Sequence, residues 1–151
     1  MRSAGADDIP ALLDMMTDFY AESGYTLDRA HAEQAFTALL GDPRLGRVFM
    51  VQRDAADVGY VVVAFVFGME YGGLMAVVDD LFVRAEHRDI GLGTSALAEV
   101  RRICARLGVR AISVEVGNDN PRARKVYDKT GFEKADRQLM TLRLADSSHV
   151  V

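Results

Sequence analysis

The sequence predicts an α/β protein in which helices pack as layers against a sheet, an α+β arrangement. Apolar residues recur at helical spacing in some stretches and alternate in others, and Gly, Pro and Asp residues mark the changes between them. A chain of 151 residues, half of them hydrophobic and 26% charged, has the length of one domain with its own core. We therefore expect a single domain over residues 1–144 and a frayed tail over residues 145–151.

The first half of the chain predicts two helices followed by an antiparallel meander of three strands. Two aspartates before Pro10 are typical of a capped helix start, and Gly24 predicts where this helix ends. Asp28 predicts the cap of a second helix, which ends at Gly41. The predicted strands, rich in β-branched and aromatic residues, are residues 48–52, 58–67 and 74–83.

The second half predicts helices that alternate with strands. In order, the predicted elements are a glycine-containing loop (84–93), a helix (94–107), a strand (111–116), a short helix (120–130) and a closing hairpin (132–136 and 138–144). The chain thus combines strands joined by short turns with strands joined through a helix. This combination favours layers of helices packed on a sheet.

The charge is uneven along the chain, and the composition excludes several classes of protein. Residues 1–83 carry a net charge of −8 and residues 84–137 a net charge of +4, which suits a cationic and an anionic ligand respectively, although solvated surface charge is the simpler interpretation. A pI of about 5.3 argues against nucleic acid as a partner. The longest apolar run, 12 residues, is too short to cross a membrane, and the first residues lack the apolar region of a signal peptide.

Cysteine and histidine are scarce. The one cysteine, Cys104, excludes an internal disulfide and favours a cytoplasmic location. The three histidines are widely scattered, so the sequence has no metal-binding pattern and we expect no metal.

The most informative segment is the loop HRDIGLGTSAL, which follows the third strand of the meander. It contains the pattern R-x-x-G-x-G, from Arg88 to Gly93, just before a helix. Glycines let backbone N–H groups converge on one point, and a helix N-terminus adds about half a positive charge there. The loop therefore suits a phosphate, with Arg88 to neutralise it and Thr94 or Ser95 to add a hydroxyl; an ordinary tight turn is the alternative.

A second pattern, N-x-x-A-x-x-x-Y-x-x-x-G-F, begins at Asn120. Its residues Asn120, Ala123 and Tyr127 share one face of a short helix. Ala123 is small enough to let a ligand pack closely, and Tyr127 offers a phenol at the far end of that face. A core tyrosine on a short helix is the alternative interpretation.

The two patterns, in this order and about thirty residues apart, resemble the GNAT superfamily of N-acetyltransferases. The resemblance covers residues 77–132 and extends, through the order of helices and strands, to most of the chain. It implies a mixed, mostly antiparallel sheet with flanking helices, in which two parallel strands (74–83 and 111–116) splay apart to admit the cofactor. It also implies an N-acetyltransferase that uses acetyl-CoA as co-substrate and transfers the acetyl group directly to an amine. No metal is expected in this reaction.

The resemblance further implies a role for individual residues. The last strand residues before the loop offer backbone groups to the pantetheine arm, the loop amides bind the pyrophosphate, and Tyr127 protonates the leaving thiolate. The implied cofactor-binding residues are Leu81, Phe82, Val83, Arg88, Asp89, Ile90, Gly91, Leu92, Gly93, Thr94, Asn120, Ala123 and Tyr127.

Two adjacent acids are the candidates for the catalytic base. An alkyl amine is mostly protonated at pH 7, so a carboxylate must take its proton, directly or through water. Asp79 and Asp80 interrupt an apolar strand and lie on opposite faces, so we expect one of them to point inward, where an unpaired charge is costly. The stretch VDDLFV is similar to that of diamine acetyltransferases; a strand-edge aspartate plus a structural salt bridge is the alternative.

The acceptor is expected to be a primary amine of a small molecule, such as a polyamine or an amino-acid-like amine. Aromatic faces beside acids suit a cationic amine, although core or surface packing is the alternative for each such residue. The candidate acceptor-binding residues are Tyr20, Glu22, Tyr25, Glu70, Tyr71 and Glu115. A protein or peptide N-acetyltransferase and a non-catalytic acetyl-CoA-binding module remain alternatives, and the resemblance, in which many members dimerise, allows a homodimer.

Overall fold

The computed structural model describes residues 1–117, 120–142 and 144, and its centre is a five-stranded sheet with helices on both faces. The strands and α-helices in chain order are β1 (Arg2–Ser3), α1 (Ile9–Glu22), α2 (Arg29–Gly41), β2 (Gly46–Arg53), β3 (Ala56–Gly68), β4 (Gly73–Val83), α3 (Leu92–Arg106), β5 (Ala111–Val114) and α4 (Pro121–Lys129). Single turns of 3-10 helix precede α1 and follow β4.

The sheet confirms the predicted mixed, mostly antiparallel architecture. The strands lie in the order β1-β2-β3-β4-β5, and each neighbouring pair is antiparallel except β4 and β5, which are parallel. The parallel pairing extends only from Met75, opposite Ala111, to Val78, opposite Val114. Beyond Val78, β4 continues to Val83 without β5 beside it. The two parallel strands therefore splay apart.

Two apolar cores, one on each face of the sheet, hold the helices in place. On one face, α1 and α2 bury Leu12 and Phe36 against Tyr60 of β3. On the other face, α3 and α4 bury Val100 and Tyr127 against the opposite side of the sheet. Burial of each large apolar side chain contributes about 1.5–3 kcal/mol, so both helical layers are fixed mainly by hydrophobic contact with the sheet.

Strand β4 changes the face that it presents because one extra residue, Asp79, is inserted as a β-bulge. Two consecutive residues of β3, Val63 and Val62, pair with Val78 and Asp80 respectively, so Asp79 has no partner of its own. Even-numbered residues before the bulge pack under α3 and α4, whereas even-numbered residues after it face α1 and α2. Strict alternation along the strand would have kept them on one face.

The predicted starts of α1, α2 and α4 are confirmed, and so is the predicted cap of α2 at Asp28. Asp8 does not cap α1 with its side chain, which accepts instead from Arg2 and from the Gly5 amide. The Asp28 carboxylate accepts a hydrogen bond from the His31 amide at 3.0 Å, and the Asn120 side chain accepts one from the Ala123 amide at 3.0 Å. Each bond satisfies a backbone N–H that the first turn of a helix leaves unpaired. In the described ranges, no helix is long and apolar enough to cross a bilayer.

Two of the boundaries that differ from the predicted ones lie near the predicted cofactor site. Helix α3 begins at Leu92, so Gly93 lies in its first turn rather than in the loop. The reason is Gly91, whose φ of +86° ends the loop two residues earlier. Strand β5 ends at Val114 instead of at residue 116, since its partner β4 turns away at the bulge.

The predicted closing hairpin is wrong for the described residues of that segment. Residues 132–142 form no strand, and Leu139, Met140 and Leu142 keep 71%, 89% and 83% of their surface exposed. Alternating apolar and polar residues favour an extended backbone, but a hairpin is stable only when it packs against further strands or a helix. The predicted tail over residues 145–151 lies outside the described residues.

The close approach of β3 to β4 beside Gly59 leads to a test of the sheet. A Cβ at Gly59 would lie 2.2 Å from the carbonyl oxygen of Phe82, so we expect Gly59→Ala to push the strands apart and to lower the free energy of unfolding by about 2–4 kcal/mol. Gly41→Ala is the control, because a Cβ there meets no atom within 4 Å, and it should stay within about 1 kcal/mol of wild type. Urea unfolding of the three proteins measures both values; equal stability of the two variants would contradict the close approach.

Candidate active site

A cleft of about 350 Å³ lies beside the part of β4 that has left β5. Its walls are the end of β4, the loop before α3, the first turn of α3, the inner face of α4 and the end of α1. The residues that line it and that the sequence assigned to the cofactor are Leu81, Phe82, Val83, Arg88, Asp89, Gly91, Leu92, Gly93, Thr94, Asn120, Ala123 and Tyr127. Ile90 does not line the cleft, because its side chain is 54% exposed on the outside of the loop.

The end of β4 offers backbone hydrogen-bonding groups to this cleft. After Val78 no strand pairs with β4 on its β5 side within the described residues, so the peptide groups there need ligand, water or side-chain partners. One of them has such a partner, since the Arg88 guanidinium donates to the carbonyl oxygen of Val83 at 2.6 Å. The strand edge can therefore bind an extended chain that carries amide groups.

The loop and the first turn of α3 form the anion-binding end of the cleft. Gly91 caps the helix in the left-handed region, which turns the backbone so that the amides of the first turn point out of the helix end. Gly93 lies against Val126 of α4, where an added Cβ would be 3.6 Å from the valine methyl group. These unpaired amides carry the positive end of the helix dipole, which is the environment that a phosphate prefers.

Charged side chains surround the loop on both sides. Arg88 lies 5.4 Å from the centre of the Phe82 ring and donates to Glu22 of α1 at 2.5 Å. Arg122 of α4 pairs with Asp89 at 3.0 Å. Arg88 therefore already lies at the cleft, although in this structure it contacts a carboxylate and a carbonyl rather than a free anion.

The sequence analysis missed a basic face of α4. Arg122, Lys125 and Lys129 all line the cleft, and among the described residues no ion pair holds either lysine. Their spacing of three and four residues, which places side chains on one helix face, was the available signal. His87 also lines the cleft without having been predicted.

Asp80 is the acid that points inward. Its carboxylate accepts a hydrogen bond from the hydroxyl of Tyr60 at 2.9 Å. Burial raises the pKa of Asp80 to about 6, while the Tyr60 hydrogen bond lowers it and the negative charge of Asp79 raises it further. Asp79 itself is exposed. The bulge separates the pair, so that one carboxylate is desolvated and the other stays in water.

Tyr127 lies at the inner end of the cleft with its phenol protonated. The side chain is 8% exposed and packs edge-on against Phe132, with ring centres 5.5 Å apart. Burial raises the pKa of Tyr127 to about 12, and the charge of Asp80 contributes to that rise. The two groups therefore belong to one electrostatic environment, in which one can accept a proton near neutral pH and the other can donate one.

The candidate acceptor residues divide into two groups. Tyr20, half-buried at the end of α1, has its pKa raised by burial and by the charges of Asp80 and Asp79. Glu22 lines the cleft, and the amide of exposed Tyr25 donates to the carbonyl oxygen of Tyr20 at 3.0 Å. The end of α1 is therefore near the two aspartates.

Glu70 and Tyr71 lie elsewhere, at the turn between β3 and β4. Eight residues of chain separate Tyr71 from Asp79, roughly 25 Å along an extended strand. Glu70 is engaged by Arg137 at 2.7 Å. Glu115 is exposed, directly follows the last residue of β5 and does not line the cleft. The structure thus does not bring the hairpin-turn pair to the cleft.

Metal ligation finds no support in the part of the chain that the structure describes. There, no group of three or more His, Cys, Asp or Glu side chains is arranged to hold a metal ion.

Comparison with known proteins was made by family model and by structure. The model of the Acetyltransferase (GNAT) family matches residues 10–132. An integron cassette protein from the mobile metagenome of Cole Harbour Salt Marsh is 43% identical, with coverage of 99% of this chain and 93% of that chain and a TM-score of 0.89. A search of curated proteins found no match.

More distant structures share the fold. One is a predicted acetyltransferase with acetyl-CoA from Clostridium acetobutylicum, 17% identical, with coverage of 93% of this chain and 94% of that chain and a TM-score of 0.79. Another is a ribosomal-protein-alanine N-acetyltransferase from Brucella melitensis, 19% identical, with coverage of 93% and 96% and a TM-score of 0.73. Such likeness extends over nearly the whole of each chain.

The buried carboxylate of Asp80 leads to a prediction about stability and pH. A carboxyl whose pKa is raised to about 6 by folding destabilises the native state progressively as the pH rises from about 4 through 6. Asn at this position cannot ionise, and its amide oxygen can still accept from Tyr60. We therefore expect Asp80→Asn to unfold with about 1–2 kcal/mol more free energy than wild type at pH 8, after allowance for solvent screening, and with nearly the same free energy near pH 4.

Urea unfolding at the two pH values measures this difference. Asp79→Asn is the matched control, because Asp79 is exposed, and it should change stability by less than about 0.5 kcal/mol at either pH. An Asp80→Asn protein that is no more stable than wild type at pH 8 would show that the carboxylate is solvated.

Proposed function

This chain belongs to the GNAT family of acetyltransferases, and we propose that it transfers the acetyl group of acetyl-CoA directly to a primary amine of a small molecule. The observation that carries the proposal is the juxtaposition, in one cleft, of an unpaired strand edge, an anion-binding loop and the Tyr127 phenol, with Asp80 in the same electrostatic environment. Each of these features matches one part of the chemistry that acetyl transfer requires.

The residues of the cleft fit acetyl-CoA in three sections. The amides of the first turn of α3, together with Arg88, suit the pyrophosphate. The free edge of β4 at residues 81–83 suits the amide groups of the pantetheine arm, and Asn120 and Ala123 border the same path. Tyr127 lies at the thiol end. Arg88 must exchange its contact with Glu22 for a phosphate oxygen when the co-substrate binds.

Asp80 is proposed as the catalytic base. An incoming amine is protonated at neutral pH, and a carboxylate with a pKa near 6 is ionised above that pH and accepts the proton, directly or through a water molecule. Asp79, exposed on the other side of the bulge, remains as a fixed negative charge that attracts a cationic amine.

Tyr127 is proposed as the catalytic acid. In the reaction the amine nitrogen bonds to the carbonyl carbon, the carbon–sulfur bond breaks, and the sulfur leaves as a thiolate. A phenol with a pKa of about 12 stays protonated over the working pH range and gives its proton to that thiolate as the charge develops. An N–H of β4 directed at the carbonyl oxygen would stabilise the negative charge that forms there.

No protein nucleophile is needed for this transfer. The thiol of Cys104 is buried between α3 and the sheet, and burial raises its pKa. A thiol in such surroundings is a poor nucleophile. Direct attack by the amine, without an acetylated enzyme, is therefore the route that this chain supports.

A small cationic amine is the acceptor that we propose, either a polyamine or an amino-acid-like amine. The net charge of −8 over residues 1–83 and the aromatic Tyr20 beside two aspartates support it. The stretch VDDLFV, similar to that of diamine acetyltransferases, favours a diamine within this class. A peptide N-terminus is the second candidate, favoured by the likeness to the Brucella ribosomal-protein-alanine N-acetyltransferase.

A non-catalytic acetyl-CoA-binding module is less consistent with the site. A desolvated carboxylate such as that of Asp80 destabilises the fold at neutral pH. A module that only binds the co-substrate has no use for that group, whereas an enzyme needs it as a base.

Four wider properties complete the proposal. Residues 1–144 form one N-acetyltransferase domain that works without a metal. Its location is cytoplasmic, which the lone buried Cys104 supports. A homodimer is supported by apolar side chains exposed at the β3–β4 turn, where Phe67 is 65% and Met69 85% exposed.

Release of free thiol from acetyl-CoA over a panel of amines tests the reaction. The panel holds polyamines, lysine-like amino acids, aminoglycosides and short peptides. We expect turnover with a small cationic amine; turnover confined to peptides would transfer the proposal to the second candidate. No turnover with any amine, or no binding of coenzyme A in calorimetry, would overturn it.

Tyr127→Phe tests the catalytic acid. The substitution keeps the ring and removes the proton, so we expect kcat to fall about a hundredfold. The Kd of coenzyme A should change by less than about twofold, since a single hydroxyl adds little to binding. Steady-state kinetics and calorimetry on the same preparation measure the two effects. Unchanged kcat would remove Tyr127 from the acid role.

A further inference from the structure

We propose that Tyr60 is a positioning residue for acetyl transfer, whose buried hydroxyl holds one oxygen of the Asp80 carboxylate and leaves the other to take the proton of the amine. This inference rests on the proposed function and on Asp80 as its base. Neither Tyr60 nor Asp80 is among the residues that line the cleft. The Tyr60 hydroxyl donates to the Asp80 carboxylate, so Tyr60 acts through Asp80.

The ring of Tyr60 is immobilised by its packing. The side chain is fully buried on β3. Phe36 of α2 packs against it edge-on, with ring centres 6.3 Å apart, and Phe82 of β4 packs against it at 6.0 Å. A ring held between a helix and a neighbouring strand directs its hydroxyl along one line.

The β-bulge brings Asp80 onto that line. Val62 pairs with Asp80 and Tyr60 pairs with Phe82, so Tyr60 and Asp80 are diagonal neighbours on the face toward α1 and α2. Without the extra residue Asp79, the carboxylate would emerge on the opposite face, away from the hydroxyl. The bulge and Tyr60 are therefore two parts of one arrangement.

Tyr60 is the group that stabilises the ionised form of Asp80. Four titratable groups interact electrostatically with this carboxylate. They are Tyr20 of α1, Tyr60 of β3, Asp79 of β4 and Tyr127 of α4. Asp79 opposes ionisation, and among the described residues only Tyr60 donates a hydrogen bond to the carboxylate, at Oδ2. Within the same residues Oδ1 accepts none, and it is not sealed from the surroundings.

Removal of the hydroxyl should move the pH dependence of the reaction. In Tyr60→Phe the ring and its packing remain, but the ionised carboxylate loses its donor, so the acid limb of kcat/KM should shift to higher pH by about one unit. From a pKa of about 6, a shift of one unit lowers kcat/KM about tenfold at pH 5 and about twofold at pH 7, with a smaller loss on the plateau above pH 8.5. The Kd of coenzyme A should stay within about twofold of wild type, because Tyr60 does not reach the cleft.

Phe36→Leu is the matched control for a purely structural effect. It disturbs the same ring from the α2 side and lowers stability, but it leaves the hydrogen bond in place. The acid limb of this variant should remain at the wild-type pH. A shift equal to that of Tyr60→Phe would mean that loosened packing causes both, and would overturn the proposal.

A stronger hydrogen-bond donor at position 60 should shift the acid limb in the opposite direction. This test remains available if Tyr60→Phe fails to fold. Replacement of the Tyr60 side chain by 3-fluorotyrosine makes the phenol more acidic and a better donor, so the acid limb should shift to lower pH. An unshifted limb in this protein, or in folded Tyr60→Phe, would overturn the proposal.

Asp80→Asn separates failure of this inference from failure of the proposed function. Loss of transfer in Asp80→Asn combined with an unmoved limb in Tyr60→Phe would overturn only the role of Tyr60. Wild-type rates in Asp80→Asn would overturn the base and its positioning together. A wild-type protein that acetylates no amine would overturn the proposed function, and this inference with it.

Discussion

The separation of β4 from β5 after Val78 is the constraint on which the site depends. A bulge at Asp79 ends the parallel pairing, and the backbone groups that β5 no longer satisfies become the wall of the cleft. Buried backbone groups need partners, so a gap of this kind persists only where ligand or solvent reaches it. The same bulge turns Asp80 toward α1 and Tyr60, so one local irregularity sets both the free strand edge and the position of the buried carboxylate.

The carboxylate of Asp80 is the charged group whose burial opposes the stability of this fold. Its environment consists of Tyr60, a nearby like charge and the apolar core, and within the described residues no cation pairs with it. Hydrophobic burial in the two cores, one on each face of the sheet, offsets the free-energy cost of ionising Asp80. That cost is also what places the proton affinity of the group near neutral pH, where a base for an amine is useful.

The arginines at the cleft, unlike Asp80, are paired with groups of opposite charge. Arg88 is held by Glu22 of α1 and lies over the Phe82 ring, while Arg122 is held by Asp89 of the loop. Both arginines are thus kept at the cleft by single carboxylates in solvent-accessible pairs, which contribute little to stability. Glu22 belongs to α1, so this ion pair connects the loop before α3 to the end of α1.

Local chemistry in the sequence was sufficient for the helix cap at Asp28 and the glycine loop before α3, because each depends on neighbours in the chain. The resemblance to the GNAT superfamily supplied most of the residues that line the cleft. Contacts between distant segments were needed for the rest. The choice of Asp80 over Asp79 depends on a register shift against β3, which no pattern within β4 reveals. The part played by Tyr60, and the distance of Glu70 from the cleft, likewise follow from strand pairing, since a sequence specifies alternation along a strand but not which residue lies across from it.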